Sequence, residues 1–119
     1  MRKVLEQRLI SLSSLISNNC KNLQISPMSK NLISQIVRSS SSAALNYGEA
    51  QSAESKRDFI HKISIVLKEL RETHINLRIL LESENPENRN DLIKAIDECD
   101  QLISIFYATV KTARKNIGN

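Results

Sequence analysis

Apolar residues recur at alternating steps of three and four along most of the chain, the spacing that places them on one face of a helix. The first such stripe predicts a helix from Arg2 to about Leu23. Its apolar residues are Leu5, Leu9, Leu12, Ile16 and Leu23, with Val4 and Leu15 widening the stripe. The pair Ser26-Pro27 predicts the start of a second helix, because serine caps helix N-termini and proline lacks only an N–H that has no partner in the first turn.

The second helix is predicted to run from Pro27 to about Ala50. Its predicted core-facing residues are Leu32, Ile33, Ile36, Val37, Ser40, Ala43, Ala44 and Tyr47. Four consecutive serines, residues 39–42, lie inside it, and serine runs are often flexible linkers. Here no Gly or Pro adjoins the run, and the apolar period continues through it in register. We therefore predict a continuous helix whose small residues let a neighbouring helix approach closely.

Two further helices are predicted in the second half of the chain. Ser55 and Asp58 have the spacing of a capping box, in which the acidic side chain also complements the helix dipole. The third helix, from Lys56 to about Leu81, has the most regular stripe: Ile60, Ile63, Leu67, Leu70, His74, Leu77 and Leu81. The fourth, from Asn88 to about Lys115, carries Leu92, Ile96, Cys99, Ile103, Phe106, Val110 and Ala113.

Four long helices joined by short loops predict an all-α fold, an antiparallel up-down-up-down four-helix bundle. A chain of 119 residues is long enough for one hydrophobic core, so residues 1–119 are predicted to form a single domain. The composition agrees, since only 3% of residues are aromatic and there are two Gly and two Pro, whereas strands favour aromatic residues and frequent turns.

The net charge of +4 is unevenly distributed. Residues 1–48 carry six basic side chains against one acidic one, whereas residues 49–119 carry eleven against twelve. A second small basic cluster consists of Lys111, Arg114 and Lys115. Such asymmetry is compatible with a nucleic-acid or acidic protein partner, although +4 is also an ordinary value for a small soluble domain.

The two cysteines, Cys20 and Cys99, are too few and too far apart for a disulfide framework or a metal motif. Both lie on or beside apolar stripes, so we expect reduced core side chains. No apolar run approaches the roughly 18 residues that span a membrane, and no hydrophobic leader with small cleavage residues begins the sequence. We expect a cytoplasmic protein.

No catalytic or metal-binding constellation emerges from the motifs. A carboxylate-bridged di-metal site in a bundle needs Glu-x-x-His on two helices, and only Asp58-x-x-His61 approaches that pattern. Nothing places a cysteine beside His61 or His74 as an activated nucleophile, and a lone histidine on a core stripe favours a structural role for His74. There is no Gly-rich phosphate loop. We therefore predict no catalytic residue, no metal, no cofactor and no small-molecule substrate.

The second helix carries an unusual polar set that lies within about 80° of helix circumference, roughly opposite its apolar stripe. The set consists of Gln35, Arg38, Ser42, Asn46 and Glu49. Ordinary solvated faces are rich in Lys and Glu, whereas this one suits a fixed hydrogen-bond network. We predict that it is buried against another subunit. In the third helix, Glu69 and Glu72 form an acidic pair that Lys68 and Arg71 are predicted to offset.

The pattern formed by these residues resembles the bacterial four-helix-bundle family encoded by intervening sequences within 23S rRNA genes, also called S23 proteins. The resemblance covers about residues 28–112. It is carried by Gln35-x-x-Arg38-Ser39-x-x-Ser42, by Asn46-Tyr47-x-Glu49-Ala50, by Ser55-Lys56-x-Asp58-Phe59-Ile60-x-Lys62, and by Glu69-x-x-Glu72-Thr73 with Leu77.

The resemblance implies a four-helix bundle that assembles as a ring-like homopentamer and has no known enzymatic activity. It also implies distant similarity to the pentameric accessory proteins of diversity-generating retroelements, which bind a reverse transcriptase and nucleic acid. Within the resemblance, the subunit-interface or structural motif comprises Gln35, Arg38, Ser42, Asn46, Glu49, Asp58, Glu69 and Glu72.

Two functions from different classes follow as hypotheses. The first is a non-enzymatic oligomeric bundle that binds structured RNA or a ribonucleoprotein through phosphate contacts, since the chain has few aromatics for base stacking. Its candidate basic residues are Arg2, Lys3, Arg8, Lys21, Lys30, Lys111, Arg114 and Lys115. The second is a protein–protein scaffold or accessory protein with no nucleic-acid role.

Overall fold

The computed structural model describes residues 2–23, 26–84 and 86–118, almost all of them helical. Four α-helices follow one another: α1 (Arg2–Cys20), α2 (Pro27–Ala50), α3 (Lys56–Glu84) and α4 (Arg89–Gly118), with a 3₁₀ turn at Lys21–Leu23 after α1. No strand occurs in these described residues. The all-α prediction is confirmed, and the predicted helix ends agree with the structure to within three residues.

Side-chain hydroxyls cap the predicted helix starts. At α2, the Ser29 amide donates to Ser26 Oγ at 3.1 Å and the Ser26 amide donates to Ser29 Oγ at 2.9 Å, a reciprocal capping box. At α3, the Asp58 amide donates to Ser55 Oγ at 3.0 Å. The Asp58 carboxylate accepts from the Glu54 amide at 3.4 Å, one residue earlier than a standard capping box requires.

Contacts between helices show that neighbours in the bundle are antiparallel, because a residue later in one helix contacts a residue earlier in its partner. The contacts are Ser13–Ser40 and Arg2–Tyr47 between α1 and α2, Gln35–Asn76 and Glu49–Lys62 between α2 and α3, His74–Asp100 and Ser64–Arg114 between α3 and α4, and Arg8–Glu98 and Asn19–Asn88 at the α1–α4 seam. This is the predicted up-down-up-down four-helix bundle. It measures 50 × 23 × 20 Å.

The apolar stripes of all four helices meet in one core. The largest side chains without solvent exposure include Leu9, Ile16, Ile36, Ile63, Leu70, Leu77, Leu80, Leu92, Leu102 and Phe106. Tyr47 packs edge-on against Phe106, with 5.4 Å between ring centroids. Cys20 and Cys99 are free and buried, in agreement with their predicted place in the core.

The serine run is helical and half of it faces inward. Ser39 and Ser40 are fully buried, and each meets a different neighbouring helix. Ser39 Oγ lies 2.6 Å from Thr73 Oγ1 of α3, and Ser40 Oγ donates to Ser13 Oγ of α1 at 3.3 Å. The small hydroxyl residues therefore sit where α2 approaches both neighbours.

Three details of the predicted stripes are wrong. Val37 and Val4 were expected to face the core but are exposed. The core-facing side of each helix is centred on other residues, which in α2 are Ile36 and Ala43. His74 lies at the edge of the α3–α4 seam, with Nε2 4.0 Å from Asp100 Oδ1. Thr73 takes the core position instead, since its hydroxyl is satisfied by Ser39 and by the Glu69 carbonyl.

Candidate nucleic-acid interface

The polar set of α2 lies on the flank that faces α3. Arg38 Nη1 donates to Glu69 Oε2 at 3.2 Å and Nη2 donates to Glu72 Oε2 at 3.0 Å. The Glu72 hydrogen bond and the nearby Glu69 charge raise the pKa of Arg38, so the guanidinium stays charged. Glu69 is buried, with its side chain 7% exposed, whereas the Arg38 side chain is 58% exposed. The ion pair thus joins α2 to α3 along one edge of their contact.

Other members of the set make contacts within the same chain. Gln35 Oε1 accepts from Asn76 Nδ2 at 3.2 Å, and Glu49 lies 3.6 Å from Lys62 Nζ. Asn46 Nδ2 donates to the Ser42 carbonyl and hydroxyl oxygens. The expectation of a face opposite the apolar stripe is wrong, because the core arc of α2 is centred about 120° from the set rather than 180°.

The Glu69 and Glu72 carboxylates pair with Arg38, so the expectation that Lys68 and Arg71 offset them is wrong. Residues one position apart on a helix point in different directions. Neither Lys68 nor Arg71 has an ion-pair partner among the described residues. Lys68 is exposed, and Arg71 lies on the flank of α3 that faces α4.

The predicted basic residues divide between the two ends of the bundle. Arg2 and Lys3 begin α1 at the same end at which α4 finishes with Lys111, Arg114 and Lys115. The exposed Lys21 and Lys30 lie at the other end. The structure therefore does not bring the eight predicted residues together on one surface.

Arg8 lies between these ends and is held by an ion pair. Its Nε and Nη2 donate to the Glu98 carboxylate at 2.9 and 2.6 Å, and Nη2 also donates to Gln101 Oε1 at 3.1 Å. The Glu98 hydrogen bond raises the pKa of Arg8 against the opposing effect of burial. Since its charge is neutralised within the chain, Arg8 is the weakest of the predicted phosphate contacts.

A groove between α3 and α4 gathers the basic side chains at the end where α4 finishes. It comprises two adjoining cavities of about 330 and 300 Å³, which share Arg114. The first is lined by Arg57, Ile60, His61, Ser64, Arg114 and Ile117, and the second by Leu67, Arg71, Tyr107, Val110, Lys111 and Arg114. We call this surface the α3–α4 groove.

The charge of the α3–α4 groove has one sign. Its lining includes four Arg or Lys side chains and no Asp or Glu. Among the described residues none of these four cations forms an ion pair; Arg114 makes a long 3.5 Å contact to Ser64 Oγ. Unpaired cations with apolar walls between them create a positive potential that attracts anions.

Lys111 and Arg114 were predicted from the sequence, whereas Arg57, His61 and Arg71, which line the same groove, were not. A signal was present, because these three residues and Lys68 recur at helical spacing along one flank of α3. That spacing does not say which helix lies beside the flank. Only the packing of α3 against α4 joins the two basic rows into one groove.

Burial leaves the two cysteines unreactive. Desolvation raises the pKa of Cys20 to about 11, and desolvation with the neighbouring Glu98 and Asp100 charges raises that of Cys99 to about 12. Within residues 2–23, 26–84 and 86–118, no three His, Cys, Asp or Glu side chains cluster as a metal site would require. No helix in the described part of the chain is long and apolar enough to cross a membrane.

Comparison with known proteins decides the family. The model of the 23S rRNA-intervening sequence protein family matches residues 4–108, which is most of the chain. The chain belongs to this family. No curated protein matches it.

A solved relative supports both the family and the fold. The chain is similar to a protein of the S23 ribosomal protein family from Bacteroides thetaiotaomicron, which is described as having unknown function. The two are 28% identical, with 90% of this chain and 98% of the other covered, and the TM-score is 0.77. The family match includes Arg71 and Tyr107 and ends before Lys111 and Arg114, so the groove combines residues from inside and outside the matched range.

Proposed function

We propose that this 23S rRNA-intervening sequence protein is a non-enzymatic, oligomeric four-helix bundle that binds structured RNA or a ribonucleoprotein. The observation that carries the proposal is the α3–α4 groove, with four unpaired cations and no carboxylate in its lining. RNA presents a regular row of phosphates, and basic side chains that replace condensed counterions supply much of the binding free energy.

The basic residues should not contribute equally to RNA binding. Arg57, Arg71, Lys111 and Arg114 line the groove and are free to contact phosphates. Arg2, Lys3 and Lys115 lie at the same end of the bundle but outside the groove lining. Lys21 and Lys30 lie at the opposite end of a bundle 50 Å long, so only a longer RNA reaches them as well.

The test is a salt titration of binding to a short rRNA hairpin that is shorter than the bundle. We expect affinity to fall steeply between about 50 and 200 mM salt, with a negative slope of log affinity against log salt. The double variant Arg71→Ala/Lys111→Ala should weaken binding and reduce that slope by about 2, one for each lost phosphate contact. Circular dichroism checks that the variant folds.

A matched control removes the same charge at the other end of the bundle. Lys21→Ala/Lys30→Ala lowers the net charge equally and should leave hairpin binding nearly unchanged. Equal losses in both double variants would indicate attraction by net charge alone and would reject the groove as the binding surface. Absence of binding by the parent protein at about 50 mM salt would reject RNA binding altogether.

The second candidate function is a protein–protein scaffold without a nucleic-acid role. Exposed apolar side chains favour it, notably Leu45 on α2, which is 69% exposed, and Ile75 and Ile79 on α3. Ile75 and Ile79 lie four residues apart on one face of α3, and exposed apolar side chains that lie close together are typical of protein contact surfaces. Failure of RNA binding together with a stable oligomer would favour this function over the first.

A further inference from the structure

We infer that the ring of Tyr107 is a stacking platform for an unpaired base, so that the α3–α4 groove takes single-stranded nucleotides, such as the loop of a structured RNA. The inference rests on the proposed RNA binding and adds the kind of RNA segment that the groove selects.

The exposure of Tyr107 distinguishes it from the aromatic residues of the core. Its side chain is 52% exposed, whereas Tyr47 is 5% and Phe106 is 0% exposed. Tyr47 and Phe106 pack against each other, and Phe59 packs against the core. About half of the Tyr107 surface is therefore accessible to a ligand, although its neighbour in sequence packs in the core.

The cavity beside Tyr107 has an apolar floor and positively charged side chains around its edge. The cavity of about 300 Å³ at the ring is lined by Leu67 and Val110 together with Arg71, Lys111 and Arg114. This volume lies at the lower end of the range for small-molecule sites, roughly 300–1,000 Å³. An aromatic ring for the base and cations for the flanking phosphates are the two parts of a single-stranded nucleic-acid site.

Stacking on Tyr107 requires a base that is not already stacked and paired. In an RNA duplex the bases stack on one another and offer proteins mainly phosphates and 2′-hydroxyls. An unpaired nucleotide can instead turn its base onto a protein ring, and base–aromatic stacking changes affinity by about 5-fold to 150-fold per base. The groove should therefore prefer a single strand over a duplex of the same length.

The experiment compares two probes, a fluorescein-labelled oligouridylate and an RNA duplex of equal length, by fluorescence anisotropy. Tyr107→Leu removes the ring but keeps an apolar side chain, and should weaken single-strand binding by about 5-fold to 150-fold with little change for the duplex. Tyr107→Phe keeps the ring and should bind as the parent does. An oligonucleotide with abasic sites should bind the parent and Tyr107→Leu equally.

A spectroscopic readout separates stacking from a structural role of the tyrosine. In the Tyr47→Phe background Tyr107 is the only tyrosine, and the chain has no Trp. Quenching of its emission by unlabelled oligouridylate, but not by duplex or by the abasic oligonucleotide, would support a stacked base. Circular dichroism and thermal melting check the fold of each variant.

The outcomes distinguish failure of the stacking site from failure of RNA binding itself. If Tyr107→Leu binds the single strand as well as the parent while Arg71→Ala/Lys111→Ala weakens both probes, the stacking site is rejected and RNA binding stands. If the parent binds neither probe, RNA binding fails and the stacking site fails with it. Equal displacement of RNA by polyglutamate would indicate a site for acidic polypeptides and would overturn the inference.

Discussion

At the residue scale, the buried hydroxyl pair of Ser39 and Thr73 ties α2 to α3. Thr73 Oγ1 donates to the Glu69 carbonyl at 2.8 Å, and the Ser39 and Thr73 hydroxyl oxygens lie 2.6 Å apart. Thr73→Val should destabilise the protein by about 1–2 kcal/mol, because it leaves the buried Ser39 hydroxyl with only the Ile36 carbonyl as partner. Ser39→Ala/Thr73→Val should cost less than the sum of the single variants, since either single change already breaks the contact between the two hydroxyls. Urea unfolding of the double-mutant cycle measures this coupling, and strict additivity would contradict it.

The two buried thiols should make the stability of the protein depend on pH. Burial raises the pKa of Cys20 to about 11 and that of Cys99 to about 12, above the value of 9.0 for a free thiol. The folded state therefore holds these protons longer than the unfolded state, and stability falls as pH rises above about 9. The loss is on the order of 2 kcal/mol per thiol by pH 11. We expect the slope of unfolding free energy against pH from about 9 to 11 to be smaller in Cys20→Ala/Cys99→Ala. Identical slopes would show that the thiols do not titrate differently on folding.

At the scale of elements, the α2–α3 seam depends on Arg38 more than on the carboxylates that it joins. Arg38→Ala leaves the buried Glu69 without its cation, which should cost about 1–2 kcal/mol. Glu72→Gln is the matched control: Glu72 is 39% exposed, and exposed ion pairs contribute less than about 1 kcal/mol. Thermal or urea unfolding should therefore rank Arg38→Ala well below Glu72→Gln in stability. Equal losses would mean that burial of Glu69 has no energetic consequence.

The elements also show what the sequence could and could not predict. Helix bounds, caps and core faces can be predicted because their signals lie within a few residues of one another. Ser26 and Pro27 mark the start of α2, and apolar residues at steps of three and four mark the core face of each helix. The rotation of each helix about its axis does not follow, since it depends on which neighbours pack beside it. Val37 and His74 were misplaced for this reason, by about one position around the helix.

At the scale of the whole molecule, the candidate site depends on tertiary arrangement. The basic residues found in sequence lie at both ends of the bundle, whereas the groove needs the antiparallel packing of α3 on α4 to bring Arg71 beside Lys111. The apolar stripe of the fourth helix includes Phe106 and leaves out Tyr107, so the exposure of Tyr107 follows from the helical period. The basic residues that α3 places beside its ring do not follow from it.

Assembly is the remaining property of the whole molecule, and Leu45 tests it. Leu45 is 69% exposed and belongs to α2, the helix that carries the predicted interface residues Arg38, Ser42 and Glu49. A ring needs two different faces on each subunit, and a standard interface buries about 800 Å² per partner. Two such faces would cover a modest share of the 7180 Å² surface of the chain, so most of the surface of each subunit would stay accessible in a ring.

We therefore expect light scattering to give a mass of about five times 13.5 kDa at micromolar concentration, in keeping with the pentamer that the family resemblance implies. Leu45→Lys should shift the protein towards 13.5 kDa with unchanged helicity, because an unpaired charge in an interface core is costly. Ser104→Lys is the control, since Ser104 is exposed on α4, a different helix from the predicted interface, and should not affect assembly. A parent protein that is monomeric through the dilution series, or an oligomer that tolerates Leu45→Lys, would place the subunit contacts away from this part of α2.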